Sequence, residues 1–363
     1  MFKSIYAVFF SAILFASGCS NDFGPVDVEI PDGQEIAEWK ISTPEEQGLD
    51  GNIVSNGLVA AERLEFVRSV LIVKNGFLVA ERYFGAGKFE RNDVRSVTKS
   101  FISALVGIAL REDYLKNLDQ RMLDFFPEYV TSDLDRRKFD ITIRHLLTMQ
   151  AGFDHEINLR EETRNMMNWT KTTVELPLVA NPGEKFLYNS LETHLLSAIL
   201  TKATGMSTLA FANEFLFGPA KIKVREWIRD PQGFFSGGSG MFFTSRDLAR
   251  FGLLYLNNGF LDRKQIVPAD WIAESVKNQV EQSGSWGAVK ELGYGYQWWV
   301  GKINEYNVYM AIGFAGQFII NIPDLDMLIV TTAETPTDLG EADQQGIAIT
   351  RLIANEILPA VKN

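Results

Sequence analysis

Two runs of β-branched, aromatic and other apolar residues flank an Asn-Gly pair early in the chain. Residues 70–74 have the sequence VLIVK, residues 77–83 have the sequence FLVAERY, and Asn75-Gly76 lies between them. An Asn-Gly pair favours a type I′ turn, because both central residues of that turn have positive φ angles. The pattern therefore predicts a β-hairpin that opens a sheet.

Apolar positions recur with helical spacing through the middle of the chain. Asp50 is a suitable N-cap for a first helix over residues 50–65. The same periodicity predicts four further helices, over residues 100–110, 144–149, 191–204 and 245–256. The central region is therefore expected to form a mostly helical lobe.

Strand-like patterns return after Gly293. They cover residues 294–300, 308–312, 317–322 and 327–332, and a closing helix is expected over residues 343–358. Strands at both ends with helices between them predict an α+β fold. In this fold both chain ends form one antiparallel sheet, which is flanked by helices and packs beside the central lobe. A cleft between the lobes is the expected place for an active site.

The N-terminus has the pattern of a secretory signal peptide. Lys3 precedes an apolar run over residues 5–16, and small residues follow up to Cys19. The run is shorter than the roughly 20 apolar residues that span a bilayer. We therefore expect residues 1–18 to be a signal peptide.

The segment that ends at Cys19 resembles a bacterial lipobox, in which the thiol of the first mature residue carries diacylglycerol. Lipoboxes usually have Leu three residues before the cysteine, where this chain has Ala16. A plain signal peptide with an incidental cysteine is the alternative. The resemblance implies lipidation at Cys19, export, and a lipid anchor in a membrane of the bacterial cell envelope, on the outer membrane or the cell surface.

A stretch rich in Asp, Gly and Pro follows Cys19. It shows little periodicity, which is typical of a solvated tether, and we assign this role to residues 19–37. The folded domain is expected to begin near Trp39 and to occupy residues 38–363 as two lobes. The oligomeric state is left open by these patterns.

Composition and charge narrow the functional classes. The chain has 363 residues, of which 46% are hydrophobic, so a sizeable core can form. Its net charge of −11 repels phosphate backbones, so no nucleic-acid partner is expected. With one cysteine and three histidines, the chain suggests no metal site and no other cofactor. The one segment similar to a zinc-binding helix begins at His155 and has Leu159 where the second histidine is needed.

The sequence Ser96-Val97-Thr98-Lys99 contains the chain's only Ser-x-x-Lys pattern and stands before an apolar predicted helix. Helix positions i and i+3 share a face, so the Lys99 amine can reach the Ser96 hydroxyl. A lysine whose pKa is lowered can take the proton of a serine and make it a nucleophile. An N-cap serine followed by a solvated lysine is the alternative for this motif alone.

Two later segments carry residues of matching chemistry. Tyr188 follows a Pro-Gly turn and precedes a predicted helix, where a phenol near a lysine can act as a general acid or base. The segment Gly313-Phe314 joins two predicted strands, where glycine permits the close approach of a ligand and the next N–H group can join an oxyanion hole. The alternative for Tyr188 is an aromatic residue that only packs at a junction between loop and helix. The alternative for Gly313-Phe314 is a tight turn.

Taken together and in this order, these segments resemble the serine β-lactamase and penicillin-recognising family, in its class C-like branch. That branch includes D-alanyl-D-alanine carboxypeptidases, esterases and aminohexanoate-dimer hydrolases. The resemblance begins near residue 44, runs to the end of the chain, and includes residues 143–152, 240–252 and 294–299. It implies a β-lactamase/transpeptidase-like fold and a cofactor-free serine hydrolase that cleaves an amide or ester of a small molecule through an acyl-enzyme.

The resemblance also assigns site residues. It implies Ser96 as the nucleophile, Lys99 as its proton partner and Tyr188 as a second general acid or base. The backbone N–H groups of Ser96 and Phe314 are expected to form the oxyanion hole. The expected substrate-binding residues are Ser190, Gly313 and Trp169.

Two departures from the family pattern affect the expected substrate. The usual Tyr-x-Asn motif is Tyr188-Asn189-Ser190 here, and Ala311-Ile312-Gly313 replaces the usual Lys-Thr-Gly or His-Thr-Gly. The second change removes a cation that would hold a substrate carboxylate. The string Gly313-Phe314-Ala315-Gly316-Gln317, with Asn168-Trp169 before the Pro-Gly turn, resembles the aminohexanoate-dimer hydrolases and esterases more than true β-lactamases. A D-Ala-D-Ala carboxypeptidase or class C β-lactamase and a non-hydrolytic cell-envelope binding protein are the alternatives.

Overall fold

The computed structural model describes residues 26–27, 38–85, 87–154, 166–282 and 284–362. The predicted signal peptide, Cys19, most of the predicted tether and His155 lie outside the described residues. The structural statements below concern the described ranges.

The predicted hairpin lies at one edge of a large antiparallel sheet. Its turn residues Asn75 and Gly76 both have positive φ angles, 53° and 77°, which an Asn-Gly pair tolerates well. The strand that enters the turn ends at Lys74, whose partner across the hairpin is Phe77. The local sequence therefore determines this edge of the sheet.

Fourteen strands are present in the described part of the chain. In chain order they are β1 Val26–Asp27, β2 Val67–Lys74, β3 Phe77–Tyr83, β4 Asn92–Asp93, β5 Glu226–Trp227, β6 Met241–Phe243, β7 Phe260–Leu261, β8 Lys264–Gln265, β9 Val280–Glu281, β10 Val289–Tyr294, β11 Trp299–Ile303, β12 Tyr306–Gly313, β13 Gln317–Ile322 and β14 Met327–Ala333. The large sheet has eight strands in the order β3-β2-β14-β13-β12-β11-β10-β9. Because β2 pairs with β14, both ends of the chain meet in this sheet.

The α-helices supply the rest of the architecture. They are α1 Gly51–Glu62, α2 Thr98–Arg111, α3 Ile143–Leu147, α4 Trp169–Glu175, α5 Ser190–Thr204, α6 Thr208–Ala212, α7 Gly218–Ala220, α8 Ser245–Leu256, α9 Ala269–Ser275 and α10 Leu339–Leu352. Most of them lie between the hairpin and the later strands. Both the sheet of the chain ends and the central helices are present, so the predicted α+β fold is confirmed.

Both faces of the sheet are buried. On β2, Leu71 and Val73 join the larger core, which the central helices complete. Their neighbours Val70 and Ile72 join a second core with the terminal helices α1 and α10. Successive strand residues point to opposite faces, so one apolar strand serves two cores.

Some predicted elements differ from the structure. The run over residues 294–300 is interrupted, because β10 ends at Tyr294 and β11 begins at Trp299. Gln297 lies in the connecting turn with a φ of 63°, and its buried side chain donates hydrogen bonds to the carbonyls of Leu146 and Leu147, both at 2.9 Å. The central lobe also contains a small sheet in the order β1-β5-β6-β4, whose strands are too short to show a period. The closing helix α10 begins at residue 339, four residues earlier than predicted.

Among the described residues, no single helix is long and apolar enough to cross a membrane. Two consecutive helical segments, Ser190–Thr204 and Thr208–Ala220, meet the length and composition criteria together but are bent by 80°.

Candidate active site

Ser96 lies in a short helical turn that leads directly into α2. The turn covers Arg95–Val97, and α2 begins at Thr98. Arg95 has a positive φ of 53°, which is uncommon for a residue with a side chain and marks a sharp bend before the serine. From this turn the Ser96 hydroxyl faces the Lys99 ammonium group, which donates a hydrogen bond to Ser96 Oγ at 2.8 Å.

Lys99 is buried at the start of α2 and donates three hydrogen bonds to uncharged oxygens. Besides Ser96, its Nζ reaches Ser190 Oγ at 2.9 Å and the Gly238 carbonyl at 2.7 Å. Only 1% of the residue is exposed. Burial lowers the pKa of Lys99 to about 7, because the charged form loses its hydration. A neutral amine that can accept a proton is therefore well populated at neutral pH.

Ser190 reaches Lys99 from the first position of α5. The preceding residue, Asn189, is the N-cap of this helix, and its side chain accepts a hydrogen bond from the Leu191 N–H group at 2.9 Å. In the Tyr188-Asn189-Ser190 motif, the middle residue thus orients the helix while the outer two face the lysine.

The carbonyl of Gly238 is a site group that sequence analysis did not identify. A Cβ atom at this position would lie 2.6 Å from the Ser190 carbonyl oxygen, so glycine allows the segment to approach the start of α5. The nearby run Gly237-Gly238-Ser239-Gly240 was the available sequence indication of a close backbone approach.

Tyr188 lies beside the same amine. The Lys99 Nζ atom is 4.9 Å from the centre of the Tyr188 ring. Burial raises the pKa of Tyr188 to about 12, although a hydrogen bond with Ser96 acts in the opposite direction. The phenol is therefore protonated at neutral pH and is suited to donate a proton.

Trp299 forms part of the wall behind Tyr188. The two rings are stacked with centroids 5.8 Å apart, and Tyr294 packs edge-on against Trp299 at 4.9 Å. The neighbouring Trp298 is fully buried in the core. Two adjacent residues, one just before β11 and one at its start, thus give one tryptophan to the core and one to the site.

A cavity of about 330 Å³ opens beside Ser96 and is lined mostly by apolar groups. Gly313, the last residue of β12, forms part of its wall. A Cβ atom at Gly313 would lie 2.4 Å from the Val94 carbonyl, so this strand end packs directly against the segment that carries Ser96. Phe314 follows and also lines the cavity together with Ser96. An oxyanion hole formed by the backbone N–H groups of these two residues stays a prediction.

Trp169 does not line this cavity in the described part of the chain. It begins α4, and its ring packs against His194 with centroids 5.2 Å apart. His194 is itself buried and within 3.1 Å of Asp230. A role for Trp169 in substrate binding remains a prediction.

The carboxyl group of Glu192 is buried on α5, two residues after Ser190. Burial raises the pKa of Glu192 well above its usual range, despite a hydrogen bond from the Ala151 backbone. Within the described ranges, no three His, Cys, Asp or Glu side chains form a group able to hold a metal ion.

Comparison with known proteins identifies the family. Residues 65–352 match the family model described as Beta-lactamase. The chain belongs to the β-lactamase family. It is 26% identical to the 6-aminohexanoate-dimer hydrolase of Paenarthrobacter ureafaciens over 296 residues, which cover 75% of this chain and 74% of that protein.

Solved structures of the same fold agree with this membership. A putative 6-aminohexanoate-dimer hydrolase from Bacillus anthracis superimposes with a TM-score of 0.72 at 22% identity, covering 92% of each chain. A D-stereospecific amidohydrolase from Streptomyces sp. superimposes with a TM-score of 0.64 at 15% identity, covering 84% of this chain and 99% of that one. The predicted β-lactamase/transpeptidase-like fold is confirmed. The β-lactamase family and the hydrolase relative make the chain a serine amide or ester hydrolase, and a non-hydrolytic binding protein is not favoured.

Proposed function

We propose that the enzyme cleaves linear amides or esters whose recognition does not depend on a free carboxylate. The observation that carries this proposal is the end of β12, where Ala311 and Ile312 replace the family's cation and hydroxyl. Of this segment, Ile312 and Gly313 line the cavity. Among the described residues that line the cavity there is no Lys, Arg or His. The relative named 6-aminohexanoate-dimer hydrolase supports a linear amide as one substrate class.

The proposed first step forms an acyl-enzyme on Ser96. The neutral Lys99 amine takes the hydroxyl proton while Ser96 Oγ bonds to the substrate carbonyl carbon. The carbonyl oxygen becomes an oxyanion, which the backbone N–H groups of Ser96 and Phe314 stabilise. Tyr188 then gives its proton to the leaving amine or alcohol as the bond to the carbonyl breaks, and Lys99 returns a proton to the phenolate.

The second step is hydrolysis of the acyl-enzyme. A water molecule gives one proton to Lys99 and attacks the ester carbonyl. Lys99 then passes this proton to Ser96 Oγ as the ester bond breaks, which releases the acid and restores the neutral amine. The Lys99 Nζ atom lies 2.8 Å from Ser96 Oγ and 2.9 Å from Ser190 Oγ, which keeps the amine beside the reacting oxygen. When the neutral amine acts as the base, the Ser96 hydroxyl is the donor to it. No cofactor is needed for this sequence.

A simple comparison tests the substrate class. A charge-assisted hydrogen bond to a carboxylate contributes roughly 1.5 to 3 kcal/mol, which corresponds to about ten- to a hundredfold in rate. We therefore expect a higher kcat/KM for a short acyl ester than for a cephalosporin or a D-Ala-D-Ala peptide. Ser96→Ala measured in parallel corrects for background hydrolysis. Faster turnover of either carboxylate-bearing substrate would contradict the proposal.

We also propose that the enzyme is exported and anchored by a lipid on Cys19. Support comes from the N-terminal sequence, where an apolar run and small residues precede the chain's only cysteine. Detergent phase partitioning tests this proposal, with Cys19→Ser as the matched control. The wild type should enter the detergent phase and the variant should not. Equal partitioning of both into the aqueous phase would refute the anchor.

A further inference from the structure

A second cavity, beside the small sheet and the start of α8, has a strongly basic wall. Its volume is about 360 Å³, and three lysines and four arginines line it. Among the described residues, Asp247 is the only acidic residue in this wall. The chain as a whole has a net charge of −11, but salt screens distant charges beyond about 8 Å. The local cluster therefore determines which ligand charge is favoured here.

Arg225 differs from the other three arginines of this wall, which all have acidic partners. The pairs are Arg91 with Glu226, Arg246 with Glu81, and Arg250 with Asp262. The Arg225 backbone N–H group donates to the Phe242 carbonyl at 2.7 Å, which fixes this residue next to β6. Its guanidinium group forms no hydrogen bond with any described residue, although its Nε atom is buried. Because a buried N–H group without an acceptor is costly, this side chain points to a bound oxyanion.

Asp247 lies near Arg225 but accepts its hydrogen bonds from other groups. Its Oδ1 atom accepts from the Lys223 N–H group at 3.1 Å, and Oδ2 accepts from the Thr244 N–H group at 3.2 Å. Thr244 and Asp247 form the capping box of α8, so the fold holds this carboxyl group in place. Its burial also raises the pKa of Asp247, which weakens it as a counterion for the arginine.

Two lysines add positive charge to the cavity. Lys88 and Lys223 both line it, and neither forms an ion pair with a described residue. The Lys88 Nζ atom lies 4.9 Å from the centre of the Phe89 ring, and Phe89 is 70% exposed. Trp39 lines the same cavity. Aromatic rings beside lysines and arginines are typical of surfaces that contact lipid headgroups.

A phosphate group matches this set of donors. The planar guanidinium group of Arg225 can donate two parallel hydrogen bonds to phosphate oxygens, and the two lysines act as point charges for the same group. The cavity is larger than a phosphate ion requires, so it also has room for the organic part of a phosphate ester.

We propose that this cavity binds the phosphate group of an ester and that Arg225 is its main ligand. A phospholipid headgroup and a soluble phosphate ester offer the same chemistry. The exposed ring of Phe89 favours the headgroup, as does Trp39, which follows the tether predicted for residues 19–37. The inference is independent of the reaction at Ser96, because the two cavities share no described lining residue.

Calorimetric titration with inorganic phosphate at pH 7.5 tests the site. Arg225→Gln should weaken binding by about tenfold or more, because it removes the charge-assisted hydrogen bonds. Lys88→Gln should weaken it by about two- to fivefold, since this side chain is exposed. Arg63→Gln is the matched control. It removes the same charge from the exposed end of α1, does not line the cavity, and should bind as the wild type does.

Co-sedimentation with vesicles distinguishes the two sources of phosphate. One set of vesicles is pure phosphatidylcholine, and the other contains 30% phosphatidylglycerol. Every protein in this arm also carries Cys19→Ser, so that the proposed lipid anchor does not contribute. Binding should require phosphatidylglycerol, fall by about tenfold in Arg225→Gln, and weaken in 0.5 M NaCl because salt screens these charges.

The outcomes decide the proposal. Binding of both probes that weakens in Arg225→Gln and Lys88→Gln would establish a headgroup site, and phosphate binding without vesicle binding would establish a site for a soluble ester. Binding of neither probe, or binding that both variants leave unchanged, would overturn the proposal. All variants should keep the wild-type kcat/KM for a short acyl ester, which verifies their folding. If Arg225→Gln does not fold, the exposed Lys88→Gln decides the test.

Discussion

The lowered pKa of Lys99 predicts a distinctive pH dependence of catalysis. Burial brings the pKa of this amine to about 7, and only its neutral form can take the Ser96 proton. Because the pKa is lowered, the active form accumulates as pH rises through about 7. We therefore expect kcat/KM to increase roughly tenfold per pH unit below pH 7 and to level off above it.

The magnitude follows from the two pKa values. At pH 7 an amine with a pKa of about 7 is half neutral, whereas a lysine with the ordinary value of about 10.4 is neutral in roughly one molecule in 2,500. Burial of Lys99 thus increases the population of the base by about three orders of magnitude. At pH 6, kcat/KM should be about one-tenth of its plateau.

The assay measures kcat/KM for a neutral acyl ester between pH 5.5 and 9, with the product quantified by chromatography so that detection does not depend on pH. Lys99→Met should lower kcat/KM by roughly a hundredfold or more, the usual contribution of a general base. A flat pH profile in the wild type would refute the role of Lys99 as the general base. A Lys99→Met variant that kept both the rate and the inflection near pH 7 would also refute it.

Three further predictions concern single substitutions. Ser96→Ala should abolish both ester turnover and the mass adduct formed with a fluorophosphonate probe. An adduct that persists in this variant would refute the assignment of Ser96 as the nucleophile. Tyr188→Phe should lower kcat by about a hundredfold or more, because the buried phenol can no longer supply a proton, with a larger effect on amides than on activated esters; equal small losses on both would argue against this role. Gly313→Ala should lower the free energy of unfolding by about 1–3 kcal/mol and reduce activity, since its Cβ would meet the Val94 carbonyl at 2.4 Å. Gly87→Ala is the control, because a Cβ atom there meets nothing within 4 Å.

Local patterns account for the parts of the fold and site that sequence analysis predicted. Asn75 and Gly76 specify their turn through their own backbone preferences, and the i, i+3 spacing brings Lys99 to Ser96 within one helical turn. The nearly continuous apolar run in β2 likewise marks a strand that is buried on both faces. In these cases the interacting groups are close in the sequence or share one period.

The remaining features depend on contacts between distant segments. The apolar run at residues 294–300 looks like one strand, yet Gln297 turns the chain to satisfy carbonyls about 150 residues earlier. The Gly238 carbonyl reaches Lys99 from 139 residues away. Helix α10 lines the cavity beside Ser96 only because the sheet brings the two chain ends together. No local pattern encodes such contacts.

The pairing of β2 with β14 also has a consequence for folding. Met327 pairs with Lys74, about 250 residues earlier in the chain, so closing the large sheet requires a contact of very long range. Such contacts make folding slow, because the entropy of a large loop must be lost before the pairing stabilises the product. During synthesis, β2 has no β14 to pair with until the ribosome has passed residue 333, and its edge is open to aggregation until then. If the chain is exported as we propose, this slow closure of the sheet favours translocation before the sheet is complete.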